Sequence, residues 1–172
     1  MNEEDTAPND NSAPIKPLNQ LARIEPATIY DTPKLVDLLV ALFEIEEDFA
    51  PDSILQENGL RLILEQPSRG RIFVVRTDYE VIGMVNCLFT ISTAMGGFVM
   101  LLEDVFIHPE FRRQGYGSQL VEYVVDYARK KEFKRITLLT DKGSDGSQQF
   151  FQSLGFEHSH MIPMRLSLDT AS

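Results

Sequence analysis

The residues best suited to chemistry fall in one run, Val105-Phe106-Ile107-His108-Pro109-Glu110-Phe111-Arg112-Arg113-Gln114-Gly115-Tyr116-Gly117, followed by Ser118. An apolar strand ends at Pro109, a loop carries two arginines and two glycines, and a strongly periodic helix begins at once. Unpaired N–H groups at a helix start, joined by loop N–H groups, form an anion site. Gly115 and Gly117 would admit phosphate oxygens without a Cβ in the way. The arginines supply positive charge in a chain whose net charge is −10. A P-loop would need Gly-Lys-Ser or Gly-Lys-Thr, whereas Gly117 is followed by Ser118 and Gln119. A dinucleotide fingerprint would need glycine where Leu120 stands. The spacing by itself also fits an ordinary strand-to-helix turn with solvated arginines.

The elements that would position this run can be read from periodicity. Residues 21–28 suggest a short strand, and Thr32-Pro33 opens a helix with leucines at 35, 38, 39 and 42 that extends to about Glu47. Asp52 or Ser53 caps a second helix, which stops before Pro67. Three apolar runs, 71–77, 81–91 and 98–107, are joined by connections too short for crossovers, so they form an antiparallel meander. A helix follows over 117–131, with Leu120, Val121, Val124, Val125 and Ala128 on one face and Arg129, Lys130 and Lys131 at its C-terminal end. A strand over 135–140, a short helix over 147–154 and a final extended segment over 156–168, read as strand, complete the order. The domain spans 21–172. Residues 1–20 are polar, acidic and proline-rich, and are expected to be a disordered tail.

Composition narrows the function. The balance of 16 Lys and Arg against 26 Asp and Glu opposes binding to nucleic acid or anionic membranes and favours cationic partners. No apolar run is long enough to span a bilayer, and the N-terminal residues lack the pattern of a secretory signal. One cysteine, Cys87, allows neither an internal disulfide nor a cysteine metal site. A cytoplasmic protein without a bound metal is expected. Cys87 lies within an apolar strand and is expected to be core.

Arg112-x-x-Gly115-x-Gly117, preceded by Val105-x-Ile107-x-Pro109, resembles the pyrophosphate motif of the GCN5-related N-acetyltransferase (GNAT) superfamily. Phe150-Phe151-Gln152-Ser153-Leu154-Gly155-Phe156 resembles the family's second motif, in the expected place after the next strand. The resemblance implies an α/β fold with a central mixed, mostly antiparallel sheet flanked by about four helices. It implies acetyl-CoA as acyl donor. Backbone groups of Val105, Phe106 and Ile107 would pair with the pantetheine arm, and the stretch Arg112, Arg113, Gln114, Gly115, Tyr116, Gly117 and Ser118 would hold the pyrophosphate. Phe150 and Phe151 would line the thiol arm, although spacing alone is equally consistent with Phe150 as core.

Acetyl transfer to an amine requires a neutral nitrogen, hence a base. Glu103 stands where relatives place one. Its neighbour Asp104 would face the other side of the sheet unless a bulge intervenes. Relatives often carry tyrosine where this chain has Phe151, which cannot protonate a leaving thiolate. The reading is therefore an N-acetyltransferase acting on a primary amine of a small, cationic acceptor by direct attack in a ternary complex, with homodimers common in the family. Two alternatives stand beside it: a non-catalytic acetyl-CoA-binding regulatory protein, and a protein or peptide N-acetyltransferase.

Overall fold

The computed structural model describes residues 22–46 and 49–168; the expected N-terminal tail lies outside them. Five strands form one sheet in the order β1-β2-β3-β4-β5: β1 Arg23–Pro26, β2 Gly70–Arg76, β3 Val81–Ser92, β4 Gly97–Ile107 and β5 Ile136–Leu138. The first four run antiparallel, and β5 joins β4 in parallel after a helical crossover. The helices are α1 Thr32–Phe43, α2 Ser53–Leu64, α3 Tyr116–Lys130 and α4 Asp145–Ser153. This is the mixed α/β architecture expected from the sequence.

Each sheet face carries its own core. On one, Leu35, Leu38, Leu39 and Leu42 of α1 and Leu60 of α2 pack onto Ile72, Val74, Val81, Met84 and Phe106. On the other, Leu120, Val124 and Ala128 of α3 pack onto Phe73, Val75, Val85, Cys87, Met100 and Leu102. Each fully buried leucine contributes about 2 kcal/mol of apolar transfer free energy. The central strands β2 and β3 are covered on both sides, which explains their continuous apolar sequence. Asp52 caps α2 through its Oδ1, which accepts from the N–H groups of Ile54 at 3.0 Å and Leu55 at 3.1 Å.

Apart from strand ends that are shorter or shifted by one or two residues, three differences from the sequence expectation have a physical reason. Helix α1 ends at Phe43 rather than near Glu47, since Glu44 and Glu46 would stand at the negative end of the helix dipole. Helix α4 starts at Asp145, two residues early, where an acid suits the dipole. The segment 156–168, expected as strand, forms no regular element and joins no ladder. Pro163 removes a ladder donor at its middle, and Met161, Ile162, Met164, Leu166 and Leu168 stay exposed.

Candidate active site

Strand β4 changes partner partway along its length. Residues Met100, Leu101 and Leu102 pair with β5 on one side and β3 on the other. Beyond Leu102, β5 has no further pairing, so from Glu103 to Ile107 β3 is the one strand paired with β4 among the described residues. Within this stretch Asn86 faces Glu103 and Met84 faces Phe106, so three steps along β4 match two along β3. The extra residue is a bulge. Asp104 occupies it with φ of +52°, a left-handed conformation that aspartate tolerates better than most residues.

The bulge determines where the two acids lie. Asn86 follows Met84 by two positions and so shares the sheet face covered by α1 and α2. Glu103, opposite Asn86, lies on that face too, and it is exposed. Regular alternation would send Asp104 to the α3 side, but its Oδ2 accepts a short hydrogen bond from Asn86 Nδ2, so the carboxylate joins Glu103. Asp104 is half-buried. Burial and the neighbouring Glu103 charge push its pKa up to about 6, against the lowering effect of the Asn86 bond. A carboxylate so placed accepts a proton readily near neutral pH.

The next three residues divide between the sheet faces. Val105 and Ile107 pack against the α3-side core, while Phe106 is buried among the α1 leucines. The Phe106 side chain is therefore turned away from the α3 side, into the core under α1. Arg112 folds back on this strand: its Nε donates to the Ile107 carbonyl at 2.9 Å, and its guanidinium lies 5.0 Å from the Phe106 ring centre. It braces the loop to the strand.

The loop then turns through left-handed conformations at Arg113 (φ +59°) and Gly115 (φ +84°). Gly115 is the N-cap of α3, and a side chain there would be strained. Gln114 Nε2 donates to the Glu110 carbonyl at 3.4 Å. The N–H groups of Arg113, Gln114, Gly115, Tyr116, Gly117 and Ser118 donate to no acceptor among the described residues. Two left-handed residues ahead of a helix start give the geometry of an anion cradle. Tyr116 turns its ring into the α3-side core.

Gly117 has a different reason to be glycine from the one its spacing suggests. A Cβ built there would meet Phe150 at 3.4 Å and Ile107 at 3.8 Å rather than project toward the cradle. Gly117 thus lets Phe150, from α4, pack between the start of α3 and the end of β4. Phe151 stacks edge-on with Phe150 (5.0 Å between ring centres) and with Phe156 (5.7 Å). Among other proton carriers, His158 and His160 are exposed, and Ser144 and Ser147 bond to each other at 2.9 Å. Cys87 is fully buried, and burial pushes its thiol pKa up, which removes it as a nucleophile. The described residues contain no cluster that could hold a metal ion, and no helix long and apolar enough to cross a membrane.

Asn86 was absent from the sequence-based candidates. Its signal was present: it is the one polar side chain between Val81 and Phe89 in β3. What it faces depends on strand register, which the sequence leaves open.

Residues 34–156 match the model of the acetyltransferase (GNAT) family, and the chain belongs to that family. An uncharacterized N-acetyltransferase of Methanocaldococcus jannaschii is 28% identical over 91 residues, which cover 52% of this chain and 40% of that protein. The chain spans about half the length of the curated relatives it matches. Among solved structures, a possible acetyltransferase from Clostridium difficile 630 superimposes with a TM-score of 0.80 at 17% identity, over 87% of this chain and 99% of that one. An aminoglycoside N-acetyltransferase in complex with CoA gives 0.73 at 20% identity, over 90% and 100% respectively.

Proposed function

We propose that the protein transfers an acetyl group from acetyl-CoA to a primary amine of a small cationic acceptor, by direct attack in a ternary complex. The observation that carries this reading is the bulge at Asp104, which sets a half-buried carboxylate of raised pKa beside the open edge of β4. The N–H groups from Arg113 to Ser118 hold the pyrophosphate, and the β4 edge at Val105 to Ile107 pairs with the pantetheine arm as an added strand would. Phe150 and Phe151 enclose the thiol arm. A CoA complex of a structurally similar aminoglycoside N-acetyltransferase supports the donor, and that protein's name supports an amine acceptor.

The Asp104 carboxylate takes a proton from the acceptor's ammonium, directly or through one water, which frees the lone pair for attack, and Glu103 beside it supplies a second negative charge that favours a cationic acceptor. The Val105 N–H stabilises the oxyanion that forms on the thioester carbonyl. The amine nitrogen bonds to the acetyl carbon, the C–S bond breaks, and the thiolate takes the proton that the new amide nitrogen loses, directly or relayed by water, since Phe151 has none to give.

Thiol release from acetyl-CoA on a panel of polyamines, aminoglycosides, amino sugars, amino acids and basic peptides tests the proposal. Turnover on a small polyamine or amino sugar is the expected result. Acetyl-CoA binding by calorimetry with no thiol release on any acceptor would point instead to a regulatory acetyl-CoA-binding protein. Release on basic peptides alone would point to a protein N-acetyltransferase.

A further inference from the structure

Asn86 is 4% exposed in a strand that is otherwise apolar from Val81 to Phe89. Its Nδ2 bonds across the bulge to Asp104 Oδ2, and its Oδ1, enclosed in the same interior, has no donor among the described residues. Burying an amide with one atom unsatisfied opposes folding, and an apolar side chain of similar volume would avoid that cost. The amide must therefore answer a need other than packing. That need lies in Asp104, which sits in a left-handed bulge, beside a like charge, with no other hydrogen bond to its carboxylate among the described residues.

We infer that Asn86 is a positioning residue for the transfer reaction: its amide clamps one oxygen of Asp104 and leaves the other oxygen, Oδ1, to the incoming amine. The inference rests on Asp104 acting as the base. The clamp works in two ways. It fixes a side chain that the bulge would otherwise leave free to rotate, and it stabilises the ionised form against burial and against Glu103. Glu103 is the charged neighbour on the strand itself. Met84 and Asn86 on β3, and Leu38, Leu39 and Leu42 on α1, present uncharged groups to the same face.

The test uses Asn86→Leu, with Asn86→Ala as the smaller replacement, alongside Asp104→Asn. In the Asn86 variants the acidic limb of the kcat/KM profile should move to higher pH, because the ionised base has lost the bond that favours it. At pH 7, kcat should fall about tenfold, while acetyl-CoA affinity stays within about twofold of wild type. The melting temperature of Asn86→Leu should match or exceed that of wild type. A folded variant with an unmoved limb, while Asp104→Asn is inactive, would overturn the Asn86 inference and leave the base assignment standing. Full activity in Asp104→Asn would overturn both. A wild-type measurement needs no variant: the Asn86 side-chain amide resonance should titrate together with the Asp104 carboxyl carbon in NMR. An amide that does not follow that titration overturns the clamp.

Discussion

Asp31, in the turn beside β1 and β2, and Asp104, within β4, are both drawn partly out of water, and their surroundings act on them in opposite directions. Burial alone would push up the Asp31 pKa, but the Thr28 N–H at 2.8 Å, Arg76 Nη2 at 2.7 Å and the Thr28 hydroxyl at 3.0 Å outweigh it and hold it below the usual carboxylate value. Arg76 also takes Glu25 through its Nε at 2.5 Å, so one guanidinium ties β1, β2 and the turn before α1 together. At Asp104 no cation among the described residues bonds to the carboxylate; its neighbour is another acid, and a single amide bond opposes the effect of burial. The first arrangement keeps a charge permanently in place and serves stability. The second leaves a proton site balanced near neutrality, which costs stability and suits proton transfer.

The sharpest break in this contrast is Asp104→Asn. Its turnover should fall by about 10²-fold or more with acetyl-CoA affinity retained, whereas Glu103→Gln should lose only a few-fold. The same Asp104→Asn protein should be more stable than wild type at pH 8, by on the order of 2 kcal/mol. The sign follows from linkage: a folded-state pKa near 6, above the value of about 4 in the unfolded chain, makes ionisation cost stability as pH rises through 6. The gain should shrink toward pH 4, as read by chemical denaturation at the two pH values. In wild type, kcat/KM should fall below about pH 6 as the carboxylate takes up its proton.

Arg76→Met should behave in the reverse way. Removing the shared cation strands two carboxylates, one of them well buried, and should cost about 2 to 3 kcal/mol of stability near pH 7. Turnover per folded molecule should stay near wild type. Because Asp31 has a lowered pKa in the native protein, its contribution is present above the ordinary carboxylate range and is lost as pH falls. That acid sensitivity should be weaker in the variant. The smallest effect expected is that of Phe151→Tyr. If the thiolate takes its proton from solvent or substrate, adding a phenol should change kcat by no more than about twofold and leave the alkaline limb in place.

What could be read from sequence divides along the same line as these sites. The loop from Arg112 to Ser118 and the helix behind it were legible because their logic is local: proline, glycines and a helical apolar stripe within a few residues of one another. The meander was legible because its turns are short. The contact between Asp104 and Asn86 was not, because a bulge is a property of two strands in register, and residues 18 apart in sequence meet only through it. The reason for Gly117 was likewise hidden, since Phe150 arrives from α4. The segment 156–168 was read as strand from its alternation, yet alternation states only what a segment could pair with, and Pro163 breaks the donor row.

The open stretch of β4 has a consequence for the resting protein. Unpaired strand edges usually lie at a sheet's border, where charge or a covering loop keeps other chains away. Here the gap opens beside the last strand, where β5 stops at Leu138 while β4 continues to Ile107. A ligand that pairs with that stretch completes the architecture as well as entering the chemistry. The folded state would then be a function of ligand supply: at a hundred times its Kd such a ligand would add about 2.7 kcal/mol to the unfolding free energy. The donor would thus serve as a removable strand of the protein it feeds, and starvation for it would show first as a lower melting temperature.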